Sequence, residues 1–172
     1  GGSFSGGTLQ GLGAGSRIEG AGTFQNLALA GQFKVAASSY ATLAGTITSS
    51  GTLTVSGSGS TGSASLYLAG DTTLAGTGST VLTDANYSNL SGSGALTVAS
   101  GHTLRGAGYV TTSVANRSTV IADGVLTVSA GSNTSFDNAG GLVQVADGGR
   151  LVLAGGSFSG GTLQGLGAGS RI

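Results

Sequence analysis

Short segments in which apolar, polar and apolar residues alternate recur along the whole chain. Examples are Phe33-Lys34-Val35, Leu53-Thr54-Val55, Leu66-Tyr67-Leu68, Leu96-Thr97-Val98, Leu126-Thr127-Val128, Val143-Gln144-Val145 and Leu151-Val152-Leu153. A period of two is the signature of strands with one face buried. Gly-Ser, Ala-Gly, Asp-Gly and Ser-Gly pairs between them are turn signals. No helical period competes, because glycine interrupts nearly every stretch of ten residues and costs a helix about 1 kcal/mol relative to alanine. The alternation points Ile18, Phe33, Val35, Leu53, Val55, Leu66, Leu68, Leu96, Val98, Leu126, Val128, Leu151 and Leu153 inward. Arg17, Glu19, Lys34, Thr54, Tyr67, Thr97, Thr127 and Val152 point outward.

The segments group in threes, and the groups close on a longer repeat. Gly1 to Ile18, GGSFSGGTLQGLGAGSRI, recurs residue for residue as Gly155 to Ile172, a spacing of 154. Residues 1–172 therefore read as a single solenoid segment: 1–154 is one full period, and 155–172 starts the next copy. Seven groups of three fill the period, a mean of about 22 residues per group, which is the proportion of one coil of a parallel β-helix. The fold expected is all-β: a parallel β-helix (solenoid) with three short strands per coil and about seven coils per period. On that count Thr162–Gly165 stacks on Leu142–Val145, and the two copies lie seven coils apart in the same conformation. Like strands stacked at about 4.8 Å bury what one coil cannot.

Composition supports this and removes several function classes. Among 172 residues 36 are glycine; proline, cysteine, methionine and tryptophan are absent; charged residues are 7% and cancel to zero. Six scattered cations cannot build the basic track that nucleic acid requires, nor a basic membrane-surface helix. The 38% apolar content, in regular clusters, argues against a disordered linker. No apolar run reaches the eighteen or so residues of a membrane helix. The first residues lack the basic and apolar regions of a signal peptide, as expected of an internal period.

Gly149–Leu163, GRLVLAGGSFSGGTL, is similar to the passenger repeat of bacterial autotransporters, and GTLTVSG (Gly51–Gly57), GALTVASG (Gly94–Gly101) and GVLTVSAG (Gly124–Gly131) resemble the same element. The Gly/Ser/Thr/Ala-rich whole also resembles filamentous-haemagglutinin-like exoproteins of two-partner secretion. The resemblance implies a right-handed parallel β-helix, export across a bacterial outer membrane and a place on the cell surface as a stalk or adhesin. Its partners would be adjacent copies stacked end to end, and beyond them extracellular polysaccharide or other cell surfaces.

Candidate chemistry is sparse. A glycosidase needs two carboxylates about 5–10 Å apart. Asp123 and Asp147, in TVIADG and VQVADG, come nearest and read as stacked Asp-Gly turns. No Asp-rich calcium repeat is present, and the lone His102 has no nucleophile turn to serve. His102 follows Ser-Gly and is expected in solvent. No catalytic, metal or cofactor site is assigned. The outward residues with contact chemistry are Arg17, Lys34, Tyr67 and Tyr109, on a glycan or another cell. Asn86, Asn89, Asn116 and Asn133 stand in Asn-x-Ser/Thr sequons. The function expected is a structural fibre segment of an extracellular adhesin or matrix protein. A filament of separate β-helical subunits and a glycan-binding or glycan-cleaving β-helix are the alternatives.

Overall fold

The computed structural model describes residues 2–11, 16–129 and 134–172. It is a parallel β-solenoid: the described residues form nineteen strands joined in one sheet, and every pairing between strands is parallel. The chain winds past three walls in turn, and the longer strands run across a corner from one wall to the next. Wall A stacks β1 (Gly2–Ser5), the first parts of β4 (Gly22–Ala30), β6 (Ser39–Ser49) and β8 (Ala64–Ala75), then β10 (Ser88–Gly92), the ends of β12 (Thr103–Val110) and β14 (Thr119–Ser129), and β17 (Arg150–Ala154). Wall B stacks β2 (Thr8–Gln10), the later parts of β4, β6 and β8, then β11 (Leu96–Val98), β13 (Val114–Asn116), β15 (Ser135–Asp137) and β18 (Ser157–Ser159). Wall C stacks β3 (Arg17–Glu19), β5 (Gln32–Val35), β7 (Thr52–Val55), β9 (Ser79–Thr83), the first parts of β12 and β14, then β16 (Leu142–Val145) and β19 (Thr162–Gly165).

The period-two alternation explains the core. Of the thirteen positions expected inward, eleven are buried, from Phe33 to Leu151. The other two lie in the outermost coils: Ile18 is half-buried against the core, and Leu153 is exposed. A coil buries its side chains only between two neighbours, so the end coils remain partly open. All five phenylalanines sit in these outer coils. Phe24 and Phe33 meet edge to face with centroids 4.9 Å apart, and Phe136 and Phe158 stack at 6.2 Å. Leucine, valine, alanine and isoleucine fill the middle.

Corners are set by glycine where coils approach most closely. The carbonyl of Gly31 accepts the Thr52 amide at 2.9 Å, and that of Gly51 accepts the Ser79 amide at 2.9 Å. A Cβ on Gly51 would stand only 1.7 Å from the Gly31 oxygen, so no larger residue fits without moving the corner.

The solenoid has roughly seven coils per period, and β19 stacks on β16 as expected. One strand was not anticipated. β13 sits on wall B between β11 and β15. Its inward positions are Val114 and Asn116, and a buried asparagine breaks the apolar alternation. Asn116 is satisfied across the coils: its Nδ2 donates to Asn138 Oδ1 at 2.7 Å and to the Leu142 carbonyl at 3.2 Å. Asn138 Nδ2 in turn donates to the carbonyl of Thr162 at 3.1 Å. With β13 the described residues of the period make twenty-two passages along a wall, seven rounds of three and one more. The two identical segments consequently lie on different walls: Ser3–Ser5 on wall A and Ser157–Ser159 on wall B.

The asparagine ladder predicts a non-additive pair. Asn116→Ala strands the buried Asn138 oxygen and the Leu142 carbonyl and should cost about 1–3 kcal/mol in urea unfolding. Asn116→Leu combined with Asn138→Leu should cost less than the two single substitutions added together, because neither amide partner then remains in the core.

Candidate binding surface

Outward positions define what the protein can offer a partner, and the structure divides the expected contact residues between two walls. Arg17 and Lys34 lie one above the other's neighbour on wall C, on β3 and β5, and both face Glu19: Arg17 Nε is 2.8 Å and Lys34 Nζ 3.9 Å from Glu19 Oε1. Their charge is largely spent within this triad. Tyr67 and Tyr109 lie on wall A, on β8 and β12. Register adds a third ring there, Tyr40 on β6, which stands in the column Tyr40, Ser65, Asn89, Tyr109 on successive coils. Tyr67 stands one column over, between Thr42 and Ser91. Tyr40 and Tyr67 are 60% and 42% exposed. Wall A thus presents three phenols separated by hydroxyl and amide side chains. The fourth tyrosine, Tyr87, lies instead in the corner before β10, against Gly57 and Gly59. Tyr40 could have been found by extending the Ala41-Thr42-Leu43 alternation one residue back.

The sequons differ in their availability. Asn86 is exposed in the corner before β10, and Asn89 is half-buried on wall A. Asn116 is fully buried with its amide committed to the ladder, so the folded protein does not offer it to solvent. Asn133 lies outside the described residues.

Each carboxylate has a structural use. Asp71 accepts the Ala95 amide at 2.9 Å. Asp84 closes a turn by accepting the amides of Asn86 and Tyr87 at 2.9 and 3.1 Å. Asp123 grips Arg105 through two bonds of 2.8 Å. This raises the guanidinium pKa further, first through the hydrogen bond. Asp137 pairs with Arg117 and accepts the Ala139 amide at 2.9 Å, and these hydrogen bonds hold its carboxyl below the ordinary range. Asp147 accepts the Gly169 amide at 2.8 Å. Asp123 and Asp147 follow wall C on successive coils but do not stack as expected: Ala122 pairs with Val145, which leaves the two Asp-Gly steps one residue out of register, and Asp123 lies within β14. Asp123 faces a guanidinium and Asp147 a backbone amide, so the two do not form a working pair. Among the described residues no three His, Cys, Asp or Glu side chains gather as metal ligands. Among the described residues no helix is long and apolar enough to cross a membrane.

His102 is the largest departure from expectation. It is fully buried rather than solvated. Gly101, at φ +92, turns the chain so that the ring points into the core, where Nε2 lies 3.0 Å from Thr80 Oγ1. The signal in the sequence was Thr80 itself, a polar residue at an inward position on the coil below. Burial pushes the imidazole pKa down to about 4.

An apolar hollow of about 180 Å³ lies at the last coils, where Phe136, Val143, Leu151, Leu153, Phe158 and Leu163 meet. Comparison with protein-family models, with curated proteins and with solved structures returned no match.

His102 predicts an acid response. The unfolded chain takes up the proton near pH 6.5 and the folded protein only near 4, so protonation favours unfolding. Stability is full above about pH 7, falls as pH drops through 6.5, and stops falling from this cause below about 4. The loss is about 3 kcal/mol. Thermal melts at several pH values should show this slope in the native chain and lack it in His102→Gln. The Asp137 contribution is lost only at lower pH, as its own carboxyl protonates.

Proposed function

We propose that the protein is a load-bearing segment of an extracellular fibre, one period in a series of copies that stack coil on coil. The observation that carries this reading is the double fit of the duplicated segment. Phe4 is in register beneath Phe24 on the coil above it, and its copy Phe158 is in register over Phe136 on the coil below. One eighteen-residue sequence is thus built to be covered on one side and to cover on the other. At a join between periods the same phenylalanine would do both, stacking three rings across it. The exposed Leu163 and Leu166 and the apolar hollow of the last coils are surfaces that a further coil would bury.

The work of such a segment is mechanical. It holds a terminal domain away from a cell or links cells into a matrix, and it carries no catalysis: its carboxylates are committed to guanidinium groups, lysine and backbone amides. Secretion to a bacterial surface agrees with a chain free of cysteine and proline, which can pass unfolded and wind up without disulfide exchange or prolyl isomerisation.

A second reading has its own observation. The three tyrosines of wall A, spaced by serine, threonine and asparagine and without charge among them, suit a neutral polysaccharide lying along the axis.

A chain of two periods, continued past Ile172 in the same sequence phase, should be longer than the single period by about 35 Å at constant cross-section in small-angle scattering. Two separate bodies joined by a flexible link would refute the fibre reading. For the second reading, a neutral-glycan array should show binding that Tyr67→Ala and Tyr109→Ala each weaken about tenfold. Unchanged binding in both would exclude wall A as the site.

A further inference from the structure

We propose that in the fibre each copy of the period begins one wall further round than the copy before it, so that the tyrosine-bearing wall A faces three directions in turn. This rests on the fibre reading. Two identical sequences occupy different walls. Ser3–Ser5 pairs on wall A, whereas Ser157–Ser159 pairs on wall B. Thr8–Gln10 pairs on wall B, whereas Thr162–Gly165 pairs on wall C. Arg17 pairs on wall C, whereas Arg171 bridges to Arg150 on wall A. The displacement is the same at every point, one wall forward.

The glycine corner between the first two strands keeps its conformation on either wall, although before it Gly156 takes φ 68° where Gly2 is extended in β1. Gly6 and Gly7 turn the first copy with φ of 70° and 72°, and Gly160 and Gly161 turn the second with 74° and 61°. The same corner therefore works between walls A and B and between walls B and C. A strand stacks on the strand three passages earlier, whichever wall that is. Each copy can then make identical internal contacts from any starting wall. What fixes the starting wall is the remainder when twenty-two passages are divided among three walls, and that remainder is one.

Three copies restore the phase. They contain sixty-six passages, twenty-two whole coils, and span about 105 Å. Over that length the surface of Tyr40, Tyr67 and Tyr109 is carried on wall A, then B, then C. A period of whole coils would align it as one stripe and give the fibre one adhesive side. The odd strand distributes it, so that neighbours can be met on all three sides. β13 is that odd strand, and the Asn116–Asn138 ladder holds it in the wall.

The chain has no cysteine, so introduced pairs report register cleanly. Thr97 and Ala115 are partners on wall B, whereas Ile121 pairs with Arg105 on wall C. The T97C/A115C variant should form a disulfide on oxidation and T97C/I121C should not. A disulfide in T97C/I121C instead would remove β13 from wall B and overturn the proposal. Cryo-electron microscopy of a three-period chain reads the step itself. The expected image repeats every twenty-two coils with the tyrosines on successive sides. Tyrosines aligned on one side in every period would overturn the stepping and leave the fibre standing. A chain broken at each join would overturn the fibre and the stepping with it.

Discussion

Backbone hydrogen bonding between successive coils is the constraint on which everything else here depends. A strand of three to five residues has too little surface to be stable alone, and its amides and carbonyls must be paired wherever water is excluded. Each strand solves this by stacking parallel on the strand one coil below and under the strand one coil above. That arrangement requires close approach at corners, which glycine permits at Gly31 and Gly51. It also requires that inward side chains stack like on like. The thin core is therefore built mainly from leucine and valine, and its polar insertions bond to a neighbouring coil, as in Thr80 with His102 and Asn116 with Asn138, or within their own turn, as in Ser49 with Gly51.

The same constraint decides what could be read from the chain alone. Where both inward positions of a strand are apolar, alternation reveals the strand and, away from the end coils, its facing, and the parallel solenoid follows from the grouping in threes. Strand β13 was invisible to that reasoning. Its second inward residue is an asparagine, and what makes it inward is Asn138, twenty-two residues further on. His102 was misplaced for the same reason: a turn signal before it suggested solvent, while its partner Thr80 lies one coil earlier. Local pattern reports facing when burial is driven by the hydrophobic effect. It fails when burial depends on a hydrogen bond between coils, because the partner's position is known only once coil lengths are known. The wall carrying each outward residue was hidden on the same ground. Arg17 and Lys34 could be named as outward, but not as a triad with Glu19, and the tyrosines could not be gathered on wall A until register was fixed.

The surface chemistry matches a structural role. The ionic groups are few and mostly used between neighbouring coils: Lys34 towards Glu19, Arg105 with Asp123, Arg117 with Asp137. These pairs are solvent-exposed and each contributes little to stability, but all three join one coil to the next and so favour correct register. Acidic side chains elsewhere close turns. Hydroxyl, amide and phenol groups remain outward in long columns. A surface of that kind interacts through many weak contacts along its length.

The direction of the hydrogen bonds has one more consequence. They run from coil to coil, nearly along the axis of the solenoid. Tension applied between the two ends loads the bonds of one coil in line and leaves those behind it intact. Under such a pull the molecule gives way like a zipper, releasing about twenty residues, some 70 Å of slack, at each step. A long strut made this way is rigid in compression and bending, yet sheds sudden force by lengthening, and it can rewind on the coils that remain.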